Sequence, residues 1–460
     1  MSESVGPEPG IESDAEAGEE RLVAVDDYEY EEREFQDFLT DRSGHRRPTT
    51  NNHAGGTTVG LGAGGNAHGQ PAGLTDETSR ELLAGGELSW CYAYLDLRAT
   101  SEGPPCTVGE RFGDLIVEDG GGLFVLGEAL YPSGNEDVTV LLDGANGAVY
   151  LACPDKHGVL RRDLLASNPR ALIAMMLVVE STTLCAAGDY EREPGEEDPP
   201  YGPATVDAAV RIGLREMREA DPELWRRTGG RPAHWETALR VRALAWGAEP
   251  AKPGNSVVIG PDLVEDLAAL TGDGTVRRFG PHDLPESLVH GPTRRLLTDV
   301  GLPVSDRCTL VVDSDGPLAT MAECYPGDYV PGDGESTGRH YQGEFAVLGG
   351  WMYDLDVALN GATGRIELPD RFDDNQPAPY LHRDVATLLH VLWTFERLRA
   401  DRRRCSSPAA SSPWAVFRPR DLLDSVGETL LRALDPPAWA TEDHFWPMRT
   451  DDCHMGALLD

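Results

Sequence analysis

The 460-residue sequence predicts an α+β protein: two copies of one domain, each an antiparallel β-sheet with packed helices, joined by a helical connector and preceded by a disordered acidic tail. Three observations carry this. Two glycine turns lie 217 residues apart between strand-like runs of matching parity, each is followed by a helix-like apolar run, and the first 41 residues hold 15 acidic and two basic residues. The expected divisions are 1–74, tail and glycine-rich linker; 75–190, a degenerate first copy; 191–250, a Pro-rich acidic linker and helical connector; and 251–460, a fuller second copy.

Low hydropathy, high charge and then a Gly, Asn and Thr-rich tether cannot offset the entropy of ordering, so the tail is expected to be disordered. Residues 28–39 interleave Tyr28, Tyr30, Phe35 and Phe38 with acidic residues, the pattern of a short docking helix or of a solvated acidic stretch. Prolines at 194, 199, 200 and 203 break the chain near 191–203. Beyond them Val206, Val210, Leu214 and Met217 mark one face of a helix, and 234–246 reads as another. Residues 402–413, basic and then Ser, Ala and Pro-rich, read as an exposed loop.

The turns are Asp143-Gly144-Ala145-Asn146-Gly147 and Asn360-Gly361-Ala362-Thr363-Gly364. Gly144, Asn146, Gly147, Asn360, Gly361 and Gly364 supply the conformations a tight turn needs. At the 217-residue offset Val138, Val140, Leu142, Val149 and Leu151 fall on Leu355, Val357, Leu359, Ile366 and Leu368. Side chains alternate across a strand, so a one-residue slip would send the whole set to the other face. Upstream, Phe124-Val125-Leu126-Gly127 parallels Ala346-Val347-Leu348-Gly349. Downstream, Leu172, Ile173, Met176, Leu177 and Glu180 parallel Leu388, Leu389, Leu392, Trp393 and Glu396, an amphipathic spacing. A weaker echo pairs residues 79–83 with 293–297.

The segments Arg277-Arg278-Phe279, Leu284-Pro285, Pro292-Thr293-Arg294-Arg295-Leu296-Leu297 and Val300-Gly301-Leu302-Pro303 resemble the opening of the fourth class of the SUKH superfamily of bacterial immunity proteins. Leu348-Gly349, the second glycine turn, Leu434-Asp435-Pro436 and Trp446 continue the resemblance over about residues 255–460. Residues 75–188 match in degenerate form. The resemblance implies a protein that binds and neutralises a cognate toxin of a polymorphic toxin system, without enzymatic activity, and a tandem arrangement similar to fused immunity proteins.

Composition narrows the partners. A net charge of -38 repels nucleic acid and anionic membranes. The longest apolar run, 171–179, is far below the roughly 20 residues of a membrane span. No leader is recognisable and the eight cysteines are scattered, so a cytoplasmic protein with reduced thiols is expected. Only Lys156 and Lys252 are lysines, a skew that fits a GC-rich, actinobacterial genome.

No residue is assigned to catalysis, a metal or a cofactor, and no small-molecule substrate is expected. Gly60-Leu61-Gly62-Ala63-Gly64-Gly65 lacks the strand and helix of a dinucleotide site and reads as linker. His234-Trp235-Glu236 lacks the cysteine pair of a zinc deaminase and reads as helix surface. His382, His390, His444 and His454, with Asp435 and Asp451, have no spacing that forces an acid–base centre and read as scattered surface residues. The candidate toxin-binding cluster is Trp351, Tyr353, Asp354 and Asp356, aromatic anchors among charges that steer a basic protein. The alternative is a buried Trp351 with the aspartates on a solvent-facing strand. The leading expectation is occlusion of a basic, nuclease-like toxin. The rivals are a non-catalytic adaptor or scaffold and, behind it, a hydrolase using dispersed His and Asp residues.

Overall fold

Alternating apolar residues and Asx or glycine turns fold the chain into two antiparallel meanders with helices between them. The computed structural model describes residues 71–101, 104–113, 122–131, 138–186, 201–230, 232–246, 258–305, 310–312, 316–329, 340–351, 355–369, 379–405 and 415–447. The expected tail, the 28–39 segment, the 60–65 glycine run and residues 191–200 lie outside these. All the described residues belong to one unit, 65–460.

Helix α1 (Glu77–Gly85) starts where the Asp76 carboxylate accepts from the Ser79 amide at 2.8 Å, and stops at Gly86 in the left-handed region. The first sheet runs in chain order through β1 (Cys91–Tyr92), β2 (Leu95–Asp96), β3 (Leu123–Ala129), β4 (Thr139–Asp143), β5 (Val149–Pro154) and β6 (Leu160–Ala166). Between β2 and β3, the short helix α2 (Val108–Phe112) opens with a Thr107/Glu110 capping box. After β6 come α3 (Pro169–Ala186), α4 (Pro203–Ala220), α5 (Pro222–Arg227) and α6 (Ala233–Trp246).

The second half begins with α7 (Pro261–Thr271), a two-stranded ribbon of β7 (Val276–Arg277) and β8 (Leu302–Pro303), and between these α8 (Gly291–Arg295), continued by a π turn over Leu296–Val300. Its sheet is the meander β9 (Leu310–Val311), β10 (Ala346–Trp351), β11 (Leu355–Leu359), β12 (Ile366–Glu367) and β13 (Tyr380–His382). Helix α9 (Met321–Cys324) again opens with a capping box, Thr320/Glu323. The chain then forms α10 (Val385–Cys405), α11 (Pro419–Leu434) and a 3-10 turn over Pro436–Trp439.

The ten inward positions of the two hairpins are all buried, from fully enclosed Val140 and Ile366 to Leu355 at 6 % exposure. Each such side chain contributes about 1.5 to 3 kcal/mol. The opposite faces are covered as well, where a one-sided reading leaves them to solvent. Val108 of α2 joins Val125, Leu141, Ala152 and Leu160 over the first sheet, and Met321 of α9 joins Tyr329, Phe345 and Ala358 over the second.

Each turn docks the helix that precedes its sheet. The Gly144 carbonyl accepts from the Thr75 and Asp76 amides at 2.7 and 2.9 Å, and the Gly361 carbonyl accepts from Val289 and His290 at 2.9 and 2.8 Å. A Cβ on Gly361 would enter the Ser287 carbonyl, so close backbone approach demands glycine there. The same holds at the strand bulges: a Cβ on Gly127 would meet the Asp96 carbonyl, and one on Gly349 the Val311 carbonyl.

A second matching joint closes each meander. Asp221 and Asp435 precede a proline with nearly equal dihedrals (φ -139°, ψ 72° and φ -150°, ψ 78°). Each carboxylate accepts from the amide just beyond the last strand, Ser167 at 2.7 Å and Arg383 at 3.3 Å. Both begin an Asp-Pro-x-x-Trp sequence, 221–225 and 435–439. Trp235 and Trp446 in turn donate their indoles into the last strands, to the Leu165 carbonyl and to His382.

Three expectations are corrected by packing. In α3 the buried stripe is Leu172, Met175, Met176 and Val179, whereas Leu177 is 51 % exposed. Helix α10 is not amphipathic over its first three turns, because β13, α7 and α11 enclose it. The helix also runs on through Cys405, so residues 402–405 are not loop; Arg402 is buried and pairs with Asp424 of α11 at 2.8 Å.

Helices α4 and α6 pack on α3, α6 on α11, and α4 on α7, so the middle segment joins the helical faces of both halves. Arg240 of α6 lies 3.5 Å from Asp207 of α4 and 3.8 Å from Asp401 of α10. Burial raises the Asp401 carboxyl above the usual range, against the lowering by Arg240 and Arg404. Asp163 of β6 accepts the Val416 and Phe417 amides at 2.7 and 2.8 Å, across 253 and 254 residues. Its carboxyl is also raised by burial, and those two amides pull it back down.

Candidate functional site

Residues paired across an antiparallel ladder point to one face. In the second sheet Trp351 pairs with Leu310 and with Leu355. All three are buried, and Trp351 packs edge-on against Phe445 at 5.1 Å and Trp446 at 6.3 Å. The predicted anchor therefore lies in the core, on the helical side of the sheet. Tyr353 and Asp354 lie outside the described residues. Asp356, half-buried, stands on the outer side in the row Val311, Gly350, Asp356.

That row differs from its neighbours. Val311 is 43 % exposed, and a Cβ built on Gly350 meets nothing within 4 Å. The next row, Val347, Ala358, Glu367 and Tyr380, is roofed by the segment holding Tyr341, Gln342 and Phe345. There the Glu367 carboxylate accepts from Gln342 at 2.8 Å and Tyr341 at 3.0 Å, and pairs with the Arg365 guanidinium at 3.2 Å. The open row was missed in the sequence because β9 is only two residues long and the bulge at Gly349 shifts the parity of β10.

The histidines expected on the surface are buried. The Nδ1 of His382 lies 2.8 Å from Asp435, and its Nε2 accepts from the Trp446 indole at 3.1 Å. The indole donor fixes the tautomer, so Nδ1 carries the proton donated to Asp435. Tyr380 donates its hydroxyl to the same carboxylate at 3.0 Å. Burial, then Asp435, raises that phenol far above its usual range. With both ring nitrogens engaged and the ring enclosed, this pair braces β13 and offers no lone pair to a substrate.

His390 is fully buried between Tyr201 and Trp393, and neither ring nitrogen has a hydrogen-bond partner among the described residues. Burial, with help from the Arg383 charge, lowers it to about 3. His234 is not helix surface either. Its Nδ1 meets the Tyr131 hydroxyl at 2.7 Å, Phe417 lies edge-on to its ring, and burial lowers it to about 3. His444 contacts Thr441 at 2.9 Å and is lowered by burial, whereas His454 and Asp451 lie outside the described residues. Among the described residues no group of three or more His, Cys, Asp or Glu is placed to hold a metal ion. No helix among them is long and apolar enough to cross a membrane.

Fold and side chains thus define a mixed helix-and-sheet protein whose buried polar clusters serve its packing. The second half carries a family likeness: residues 263–452 match the model of the SUKH-4 immunity protein family. No curated protein and no solved structure matches the chain.

Proposed function

We propose that this chain is an immunity protein that binds a cognate toxin of a polymorphic system in the cytoplasm and neutralises it by occlusion, without turnover. The match of residues 263–452 to the SUKH-4 immunity family is the observation that carries this reading. The net charge of -38 supports a basic partner such as a nuclease, whose substrate groove an acidic surface can fill. Of the predicted cluster, half-buried Asp356 is assigned to the toxin-facing side of the sheet, and buried Trp351 supports that strand pair from the core.

The reading includes a tandem. The paired glycine docks, the paired capping boxes and the two Asp-Pro joints support two copies of one domain. The second Asp-Pro joint closes the fuller copy, so its counterpart at Asp221 extends the first copy through α5. This moves the boundary from 190 to about 227 and leaves α6 as the connector.

Growth tests decide the reading. Co-expression with a toxin encoded beside this gene is expected to restore growth, with a stable complex on gel filtration. The association rate is expected to fall several-fold between low and physiological salt. Absence of rescue for every neighbouring toxin candidate would sink the proposal, and a salt-independent association rate would remove its electrostatic part.

A further inference from the structure

The buried histidines divide by where they sit. His382 and His444 lie inside the second half, and each has a carboxylate to offset its charged form: His382 stands 2.8 Å from Asp435, and the Asp443 and Asp435 charges act on His444. His234 and His390 lie instead where the middle helices meet the two halves. Nε2 of His234 and both ring nitrogens of His390 have no hydrogen-bond partner among the described residues.

His234, near the start of α6, closes one seam. Its Nδ1 meets the hydroxyl of Tyr131, just beyond β3, at 2.7 Å. Both rings face Phe417, which leads into α11 of the second half, at 5.1 Å from His234 and 5.5 Å from Tyr131. The acids around this seam are Asp163 of β6, held by the Val416 and Phe417 amides, and Asp421 of α11, and both act on the Tyr131 phenol.

His390, on α10, closes the other seam. Its ring lies 4.7 Å from that of Tyr201, which precedes α4 and donates its hydroxyl toward the Ala243 and Leu244 carbonyls of α6 at 3.3 and 3.1 Å. The groups around it offer no spare anion. Asp266 of α7 is taken by the Trp393 indole at 2.8 Å and by Arg397 at 3.2 Å, and α11 buries only leucines, Ala433 and Gly427. Arg383, just after β13, opposes a second positive charge.

We infer that acid parts these seams before it unfolds the sheets: protonated His234 and His390 release α4 and α6 from the two halves while each meander stays paired. A buried imidazolium without a carboxylate partner is costly, so the proton is taken up by opening the site to water. Burial holds both rings at about 3 in the closed chain, against about 6.5 in water, so the open form binds more protons. Their contribution to closure is complete above about pH 6.5 and is lost as pH falls toward 3; at pH 5 each favours opening by about 30-fold and the pair by about 1,000-fold. Asp163 and Asp401, raised by burial at the same seams, act in the other sense, because the closed form gains their protons as pH falls through the raised values. Within the second sheet Asp435 gives a protonated His382 its partner, and the first meander's described histidine, His157, is exposed.

The test is residue-resolved amide exchange of the full-length chain at pH 7 and pH 5, corrected for intrinsic rates. At pH 5 the amides of α4 and α6 are expected to exchange at least tenfold faster than at pH 7, while β4, β5, β10 and β11 keep their protection. His390→Leu and His234→Gln, the latter keeping a polar group for Tyr131, are each expected to cut that acceleration at least threefold, and the double variant to abolish it. Should the double variant not fold, the single variants decide. His157→Gln is expected to change nothing. Strands and helices losing protection together at pH 5 would show one cooperative unit and overturn the proposal. So would the absence of opening down to pH 5, or an opening that neither single variant reduces.

Discussion

Asp221 and Asp435 stand at the same joint in the two halves, with the same backbone, the same following proline and the same reach to the end of the last strand. Their surroundings differ. Asp221 serves backbone donors, Ser167 at 2.7 Å and Leu224 at 3.0 Å. Asp435 holds the Arg383 amide, the Tyr380 hydroxyl and the His382 ring, which is itself tied to Trp446. A backbone latch thus tolerates very different side-chain company, and the second half has built a polar network onto it.

The comparison predicts unequal costs. Asp435→Ala strands donors of three residues in the core and is expected to lose about 4 kcal/mol in urea titration, whereas Asp221→Ala is expected to lose about 2 kcal/mol. Equal losses would break the distinction. At the turns, a Cβ at Gly361 strikes only backbone atoms, of Ser287 and Leu288, while one at Gly144 meets the buried Phe124 ring and, less closely than at Gly361, one backbone atom, the Gly73 carbonyl. Gly361→Ala is therefore expected to cost about 3 kcal/mol and Gly144→Ala about 1 to 2 kcal/mol.

His390 and His234 sharpen the contrast through pH. Burial holds both at about 3 in the folded chain, against about 6.5 when unfolded. The unfolded chain therefore binds more protons. Their contribution is complete above about pH 6.5 and is lost as pH falls toward 3, by up to about 1.4 kcal/mol per pH unit per histidine. His390→Leu removes two unpaired ring nitrogens and is expected to stabilise at pH 7 by about 1 to 2 kcal/mol and to flatten the acid limb. His234→Leu gains less, because it orphans the Tyr131 hydroxyl. The smallest effect concerns the two capping boxes: Thr107→Ala and Thr320→Ala are each expected to cost about 1 kcal/mol, and a large inequality would show that the two short helices are not equivalent.

What the sequence revealed follows from range. The glycine turns and their flanking strands were legible because turn chemistry and alternation act over a few residues, and Gly147 and Gly364 do lie at positive φ (76° and 82°). Asp-Pro-x-x-Trp was equally local, but its first copy fell in a stretch read as connector. The helix stripes were legible as helices and misjudged in facing, because which side of α3 is buried depends on α4 and α6. The His382–Asp435 pair spans 53 residues and left no local mark. The family resemblance pointed to the correct class for 263–452, while its motifs are fold-forming residues and say little about surface chemistry.

The Asp163 clamp has a consequence for synthesis. Its carboxylate emerges from the ribosome 253 residues before the Val416 amide that it will hold. At about 5 to 20 residues per second the wait is about 10 to 50 s. During that interval β6 is the last strand of a completed meander whose closing contact with Val416 and Phe417 has not yet been translated. A nascent chain arrested between residues 230 and 400 would therefore hold the Asp163 carboxylate without its two amide donors, and such truncated chains are where aggregation is expected to concentrate.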